Sequence, residues 1–119
     1  MVVDELDKLR KTSTSCQTIA FADLSTQMIL VTDTQSKLPR EALDTLCKQA
    51  ASVLGVNGKA ALGVRPSRMA LVAEDTSVRL FLRASDEPND VICCVCTPSI
   101  DVDKFVADAT ECLNRISKG

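Results

Sequence analysis

Histidine, tryptophan and tyrosine are absent from the 119 residues, and phenylalanine occurs three times. The missing histidine removes the commonest general acid and base and the commonest metal ligand. Without Trp and Tyr there is little from which to build an aromatic groove for proline-rich peptides. Net charge is also scarce at -2, with Lys8, Arg10 and Lys11 offset by Asp4, Glu5 and Asp7. Such a balance leaves no electrostatic footprint for nucleic acid or for insertion at an anionic membrane. No apolar run approaches the ~18 residues of a membrane span, and the acidic start MVVDELDKLRK does not read as a signal peptide. The expected setting is the cytoplasm.

What is present is ordinary for a folded protein: 45% apolar and 25% charged residues. At this length, residues 1–119 are expected to form a single domain with one core. DELDKLRK (4–11) reads as a first helix. CQTIAFA (16–22) and QMILVT (27–32) flank DLST as a strand hairpin, with Ile29 and Val31 on one face and Met28 and Leu30 on the other. Strands apolar on both faces imply a sheet covered on both sides. RMALVA (68–73), SVRLFLR (77–83) and DVICCVCT (90–97) form a three-strand meander. Its middle strand places Val78, Leu80 and Leu82 on one face and Arg79 and Arg83 on a wetter one.

Two further helices differ in how much apolar face they carry. PREALDTLCKQAASVLG (39–55) starts at a proline suited to a first helical turn and ends at Gly55. At ~100° per residue its apolar side chains fill an arc of roughly 180°. Packing on one sheet needs a stripe only somewhat over ~100° wide, so the surplus calls for a second partner. The last helix, capped by Asp101, has an arc of roughly 120° and needs only the sheet. The order is helix, two strands, helix, three strands, helix: an α+β chain whose five-stranded antiparallel sheet lies between helical layers.

The connection VNGKAALGVRPS (56–67) is long for a compact domain and is expected to be functional or mobile. Its GK is not a phosphate loop: Val53 stands at the first glycine position and Ala60 at that of the Ser/Thr. The run VICCVC puts Cys94 and Cys96 on one strand face and Cys93 on the other. There is no C-x-x-C, and buried free cysteine behaves as a small apolar residue, so the run is expected to be a central strand in the core. A thiol redox or metal site joining Cys94 and Cys96 to Cys47 or Cys112 is the alternative from a different functional class.

TIAFADLSTQMILVTD, PREALDTLCKQAASVLG and MALVAEDTSVRLFLRASDEPNDVICCVC, in this order between two helices, resemble the roadblock family of dynein light chains and GTPase-associated proteins. The resemblance spans about Asp4 to Lys118. One departure is DLST, which lacks the glycine usual after the aspartate of the first hairpin. The resemblance implies a profilin-like α/β/α sandwich that pairs with itself or with a roadblock-like paralogue, two sheets meeting edge to edge. Carried onto this chain, that interface would use Ala42, Leu46, Ala50 and Val53 of the middle helix. The pairing strand would supply Arg68, Met69, Ala70, Leu71, Val72 and Ala73. It further implies a non-enzymatic platform, without cofactor or metal, for a Ras-like small GTPase, with Arg65, Arg68, Arg79 and Arg83 as arginines that could reach a nucleotide. A structural adaptor in a motor or trafficking complex, longin-like or profilin-like, is the other role it suggests.

Overall fold

A strand apolar from Val91 to Cys96 has to be covered on both faces, and in the computed structural model it occupies the middle of the sheet. The structure describes residues 2–55 and 68–118. The elements are α1 (Val2–Thr12), β1 (Cys16–Asp23), β2 (Met28–Thr32), α2 (Arg40–Leu54), β3 (Met69–Ala73), β4 (Val78–Arg83), β5 (Asp90–Cys96) and α3 (Val102–Lys118). The strands run in the order β2-β1-β5-β4-β3, each antiparallel to its neighbour. The expected three-layer α/β/α sandwich is thus present. The 56–67 connection, with its GK and Arg65, lies outside the described residues.

Each face of the sheet carries its own core. Ile19, Phe21, Leu80, Leu82, Ile92, Cys94 and Cys96 pack against Leu6 and Leu9 of α1 and Phe105, Ala109 and Leu113 of α3. On the other face, Ala20, Ala22, Phe81, Val91 and Cys93 meet Leu46, Cys47, Ala50 and Leu54 of α2. Full burial of a Leu- or Phe-sized side chain is worth ~1.5–3 kcal/mol, and Phe81, Leu46, Leu54, Leu80 and Ile92 are each no more than 1% exposed.

The first hairpin departs from simple alternation. Phe21 pairs with Val31 but Ala22 pairs with Ile29, so Leu30 is an extra residue in the ladder. A bulge of one residue reverses which face the following side chains occupy. Ile29 therefore packs toward α2 and Val31 toward α1 and α3, on opposite faces rather than together as alternation predicts. Met28 and Leu30, at the outer edge, are 46% and 52% exposed rather than covered.

The turn of this hairpin is held by Asp23, whose Oδ1 accepts hydrogen bonds from Ser25 N (3.0 Å) and Ser25 Oγ (2.7 Å), with Thr26 Oγ1 on Oδ2 at 3.3 Å. These bonds hold the Asp23 carboxyl below its usual range. They organise a turn without the glycine, but the chain still needs a left-handed residue, and Gln27 takes it with φ 54°. A residue with a Cβ loses roughly 1–2 kcal/mol in that region, whereas glycine does not. Gln27→Gly is expected to stabilise the chain by about 0.5 kcal/mol after its greater unfolded-state entropy is subtracted, read as a higher urea midpoint.

At the far end of β2, Asp33 is buried with its side chain fully enclosed. Its Oδ1 accepts from Ile19 N at 3.0 Å and its Oδ2 from Gln35 N at 3.2 Å, and Arg10 Nε of α1 lies 3.1 Å from Oδ2. Next to it, Asp7 Oδ1 accepts from Thr34 N at 2.8 Å. Two carboxylates thereby clamp α1 to the chain leaving β2.

β4 also corrects an expectation. The face bearing Arg79 and Arg83 is not wetter: it lies beneath α2, with Phe81 fully buried between the arginines. Arg83 is itself 8% exposed, and its Nη2 donates to the carbonyls of Leu54 and Gly55. A cation at the negative end of α2 satisfies carbonyls that have no partner within the helix. Burial lowers the Arg83 pKa, but an arginine so far above neutrality keeps its charge.

Candidate interaction surface

The β3 edge is built from five apolar residues, Met69–Ala73, in regular register with β4 and with no strand on its outer side among the described residues. Met69 and Leu71, opposite Leu82 and Leu80, lean to the α1 and α3 side and are each 44% exposed. Ala70 and Val72 turn the other way and are half-buried beside α2. The opposite edge, β2, also exposes two large apolar side chains, but its ladder is broken by the bulge at Leu30. Bulges blunt a sheet edge against further pairing, and an unbroken apolar edge invites it.

α2 borders the β3 edge with one shoulder. Ala42 and Val53 of α2 are half-buried, and Val53 packs against the margin of the α2-side core. On the same shoulder Gln49 Oε1 accepts a 2.8 Å hydrogen bond from Arg79 Nη1, and Arg79 Nε stands 3.6 Å from Glu74. Leu46 and Ala50, expected on the interface, are 1% and 0% exposed and lie on the sheet, so in the single chain they are already core. Arg68 is exposed at the entry to β3, and its carbonyl accepts from Arg83 N at 2.8 Å. Of the arginines singled out in the sequence, Arg79 and Arg83 are engaged with α2, and Arg68 remains at the surface.

By sequence, no family model matches the chain and no curated protein matches it. Solved structures do match. A Roadblock/LC7 domain from Streptomyces avermitilis superposes with a TM-score of 0.76 at 9% identity, over 96% of this chain and 92% of that one. MglB in a tetrameric arrangement gives 0.73 at 18% identity, over 98% and 88%. The chain has the roadblock fold. A more distant likeness, with a TM-score of 0.60 at 12% identity over 98% and 94%, is to LokiProfilin1 in complex with rabbit actin. It reflects the layering that roadblock and profilin folds share.

Within this roadblock fold the six cysteines are free and buried. Cys93 and Cys47 belong to the α2 side, and Cys16, Cys94, Cys96 and Cys112 to the α1 and α3 side. Cys47 is thus on the wrong face to meet Cys94 or Cys96, and the residue directly across from Cys96 is Cys16, which cysteine spacing in the sequence did not single out. Burial pushes the Cys93, Cys94 and Cys47 thiols up, and Cys112 to about 11. Thiols so shifted stay protonated and are weak nucleophiles at neutral pH. Among the described residues, no group of three or more His, Cys, Asp or Glu is placed to hold a metal ion, and no helix is long and apolar enough to cross a membrane.

Proposed function

We propose that this chain is a non-enzymatic roadblock module that pairs through β3 and the adjoining shoulder of α2, and offers the paired surface to a Ras-like small GTPase as a regulator or scaffold. The observation that carries the reading is the regular, wholly apolar β3 edge, with Met69 and Leu71 exposed on one face and Ala70 and Val72 half-buried beside α2 on the other. Two copies joined antiparallel along β3 would satisfy the free backbone groups and cover the exposed side chains. Leu46 and Ala50 would support this interface from beneath, the small Ala50 letting α2 sit close to the sheet. The likeness to MglB in a tetrameric arrangement supports self-association. A roadblock-like paralogue with the same edge could take the second place.

The test combines sedimentation across dilution with capture on the immobilised chain in GDP and in a non-hydrolysable GTP analogue, bound proteins being identified by mass spectrometry. A dimer at micromolar concentration that retains a Ras-like GTPase in one nucleotide state is the expected result. A monomer at every concentration removes the pairing. Retention of only a paralogue or of motor or trafficking subunits, indifferent to nucleotide, makes the chain a structural adaptor and removes the GTPase.

A further inference from the structure

Cys16 opens β1, Cys96 closes β5, and the two are direct partners in the ladder. Thr97 N donates to Ser15 O at 2.8 Å, whereas Cys16 N turns back to Ser13 O at 3.2 Å. The Thr97–Ser15 bond lies just outside the pair, while on its inner side the ladder shifts register between Cys16 and Thr18. Direct partners in an antiparallel ladder stand ~4.5–5.5 Å apart between Cα atoms. That separation falls inside the ~4.4–6.8 Å that a disulfide bridges. Both side chains point into the same layer, under α1 and α3.

The pair also has a route to solvent. Cys16, although 3% exposed, lines a cleft of about 470 Å³ together with Arg10, Gln17, Thr18, Lys37 and Leu38. Cys96, its ladder partner, is fully buried. Because both residues stand at strand ends, separating them locally costs less than opening the middle of the sheet.

We propose that Cys16 and Cys96 form a thiol-oxidation site, at which hydrogen peroxide entering by this cleft converts the pair to a cross-strand disulfide. Cys96 reacts as the thiolate: its sulfur attacks one peroxide oxygen, the O–O bond breaks, and the departing oxygen leaves as water after taking up a proton. The resulting sulfenic acid is attacked by the Cys16 sulfur. The S–S bond forms, the S–O bond breaks, and a second water carries away the Cys16 proton. The two sulfurs together lose two electrons and the peroxide gains them. The neighbouring Cys16 thiol favours the Cys96 thiolate, holding the Cys96 pKa below the ordinary thiol value and raising that of Cys16, which suits the order of the steps.

The experiment uses the full chain, reduced and then exposed to hydrogen peroxide, with remaining thiols alkylated under denaturing conditions before digestion and mass spectrometry. The expected product is a single chain lighter by two hydrogens, with the peptides of Cys16 and Cys96 linked and the other cysteines alkylated, reversed by dithiothreitol. Cys16→Ser is expected to lose the disulfide and leave a Cys96 sulfenic acid that dimedone traps. Cys47→Ser, on the other face, is expected to leave the yield unchanged. The proposal is overturned if wild-type protein forms no intramolecular disulfide, or if Cys94 or Cys112 replaces Cys16 in the link. Since wild-type protein carries the decisive reading, a folding defect in a serine variant does not blunt it. The site lies away from the β3 edge, so neither outcome depends on pairing.

Discussion

Leu71→Asp is expected to dissociate the dimer proposed above, raising its Kd by at least about a hundredfold, while the single chain stays folded. Leu71 lies in the centre of β3 and is 44% exposed in the single chain, so the carboxylate can stay hydrated when the chain is alone. Pairing along β3 would press that carboxylate against an apolar edge holding Met69, Ala73 and its own counterpart. Burying one unpartnered polar group costs ~1–3 kcal/mol and a charge more, and a two-fold interface incurs the cost twice. A hundredfold corresponds to ~2.7 kcal/mol, so the stated loss is a lower limit. Sedimentation equilibrium gives the Kd, and circular dichroism checks the fold. Leu30→Asp is the matched control: it places the same charge on the bulged β2 edge, and dimerisation should be unchanged. If Leu71→Asp pairs as tightly as wild type, β3 is not the pairing edge and the functional reading built on it falls.

The hydrophobic pattern made most of the architecture legible. VICCVC demanded cover on both faces and became the central strand; the order of elements and the termini of α2 at Pro39 and Gly55 followed from equally local signals. Misreadings arose where a local rule met a tertiary one. Period-2 alternation cannot register the extra residue at Leu30, because the bulge is set by pairing with β1, and so it places Ile29 and Val31 on one face. Alternating arginines look like a solvated face until it is known that α2 ends above Arg83 and offers it two carbonyls. The surplus apolar arc of α2 pointed to a second partner, but angle alone could not separate Leu46 and Ala50, which face the sheet, from the half-buried Ala42 and Val53. Asp33 gave no signal at all, since an acid in a polar run such as DTQSK reads as loop.

That unannounced residue carries the second large effect. Asp33→Ala is expected to cost about 3 kcal/mol, a sizeable part of the ~5–15 kcal/mol that holds a domain of this kind together. The carboxylate does three things at once: it accepts from Ile19 N, accepts from Gln35 N, and faces Arg10 at 3.1 Å. Its removal leaves the buried Ile19 N–H without a partner, at ~1–3 kcal/mol, weakens the Gln35 turn, and strands a guanidinium that is only partly exposed. Arg10→Ala should cost less, because Asp33 keeps both backbone donors when the cation is gone. Asp33→Asn should fall between wild type and Asp33→Ala, since one amide oxygen still accepts from Ile19 N. The pair should therefore be non-additive, with Arg10→Ala adding little once Asp33 is alanine, as contact within one network requires. Urea titrations of the four members of the cycle give the coupling. Equal losses for Arg10→Ala in the two backgrounds would mean that the ion pair contributes nothing, leaving the backbone hydrogen bonds to account for the whole effect of Asp33.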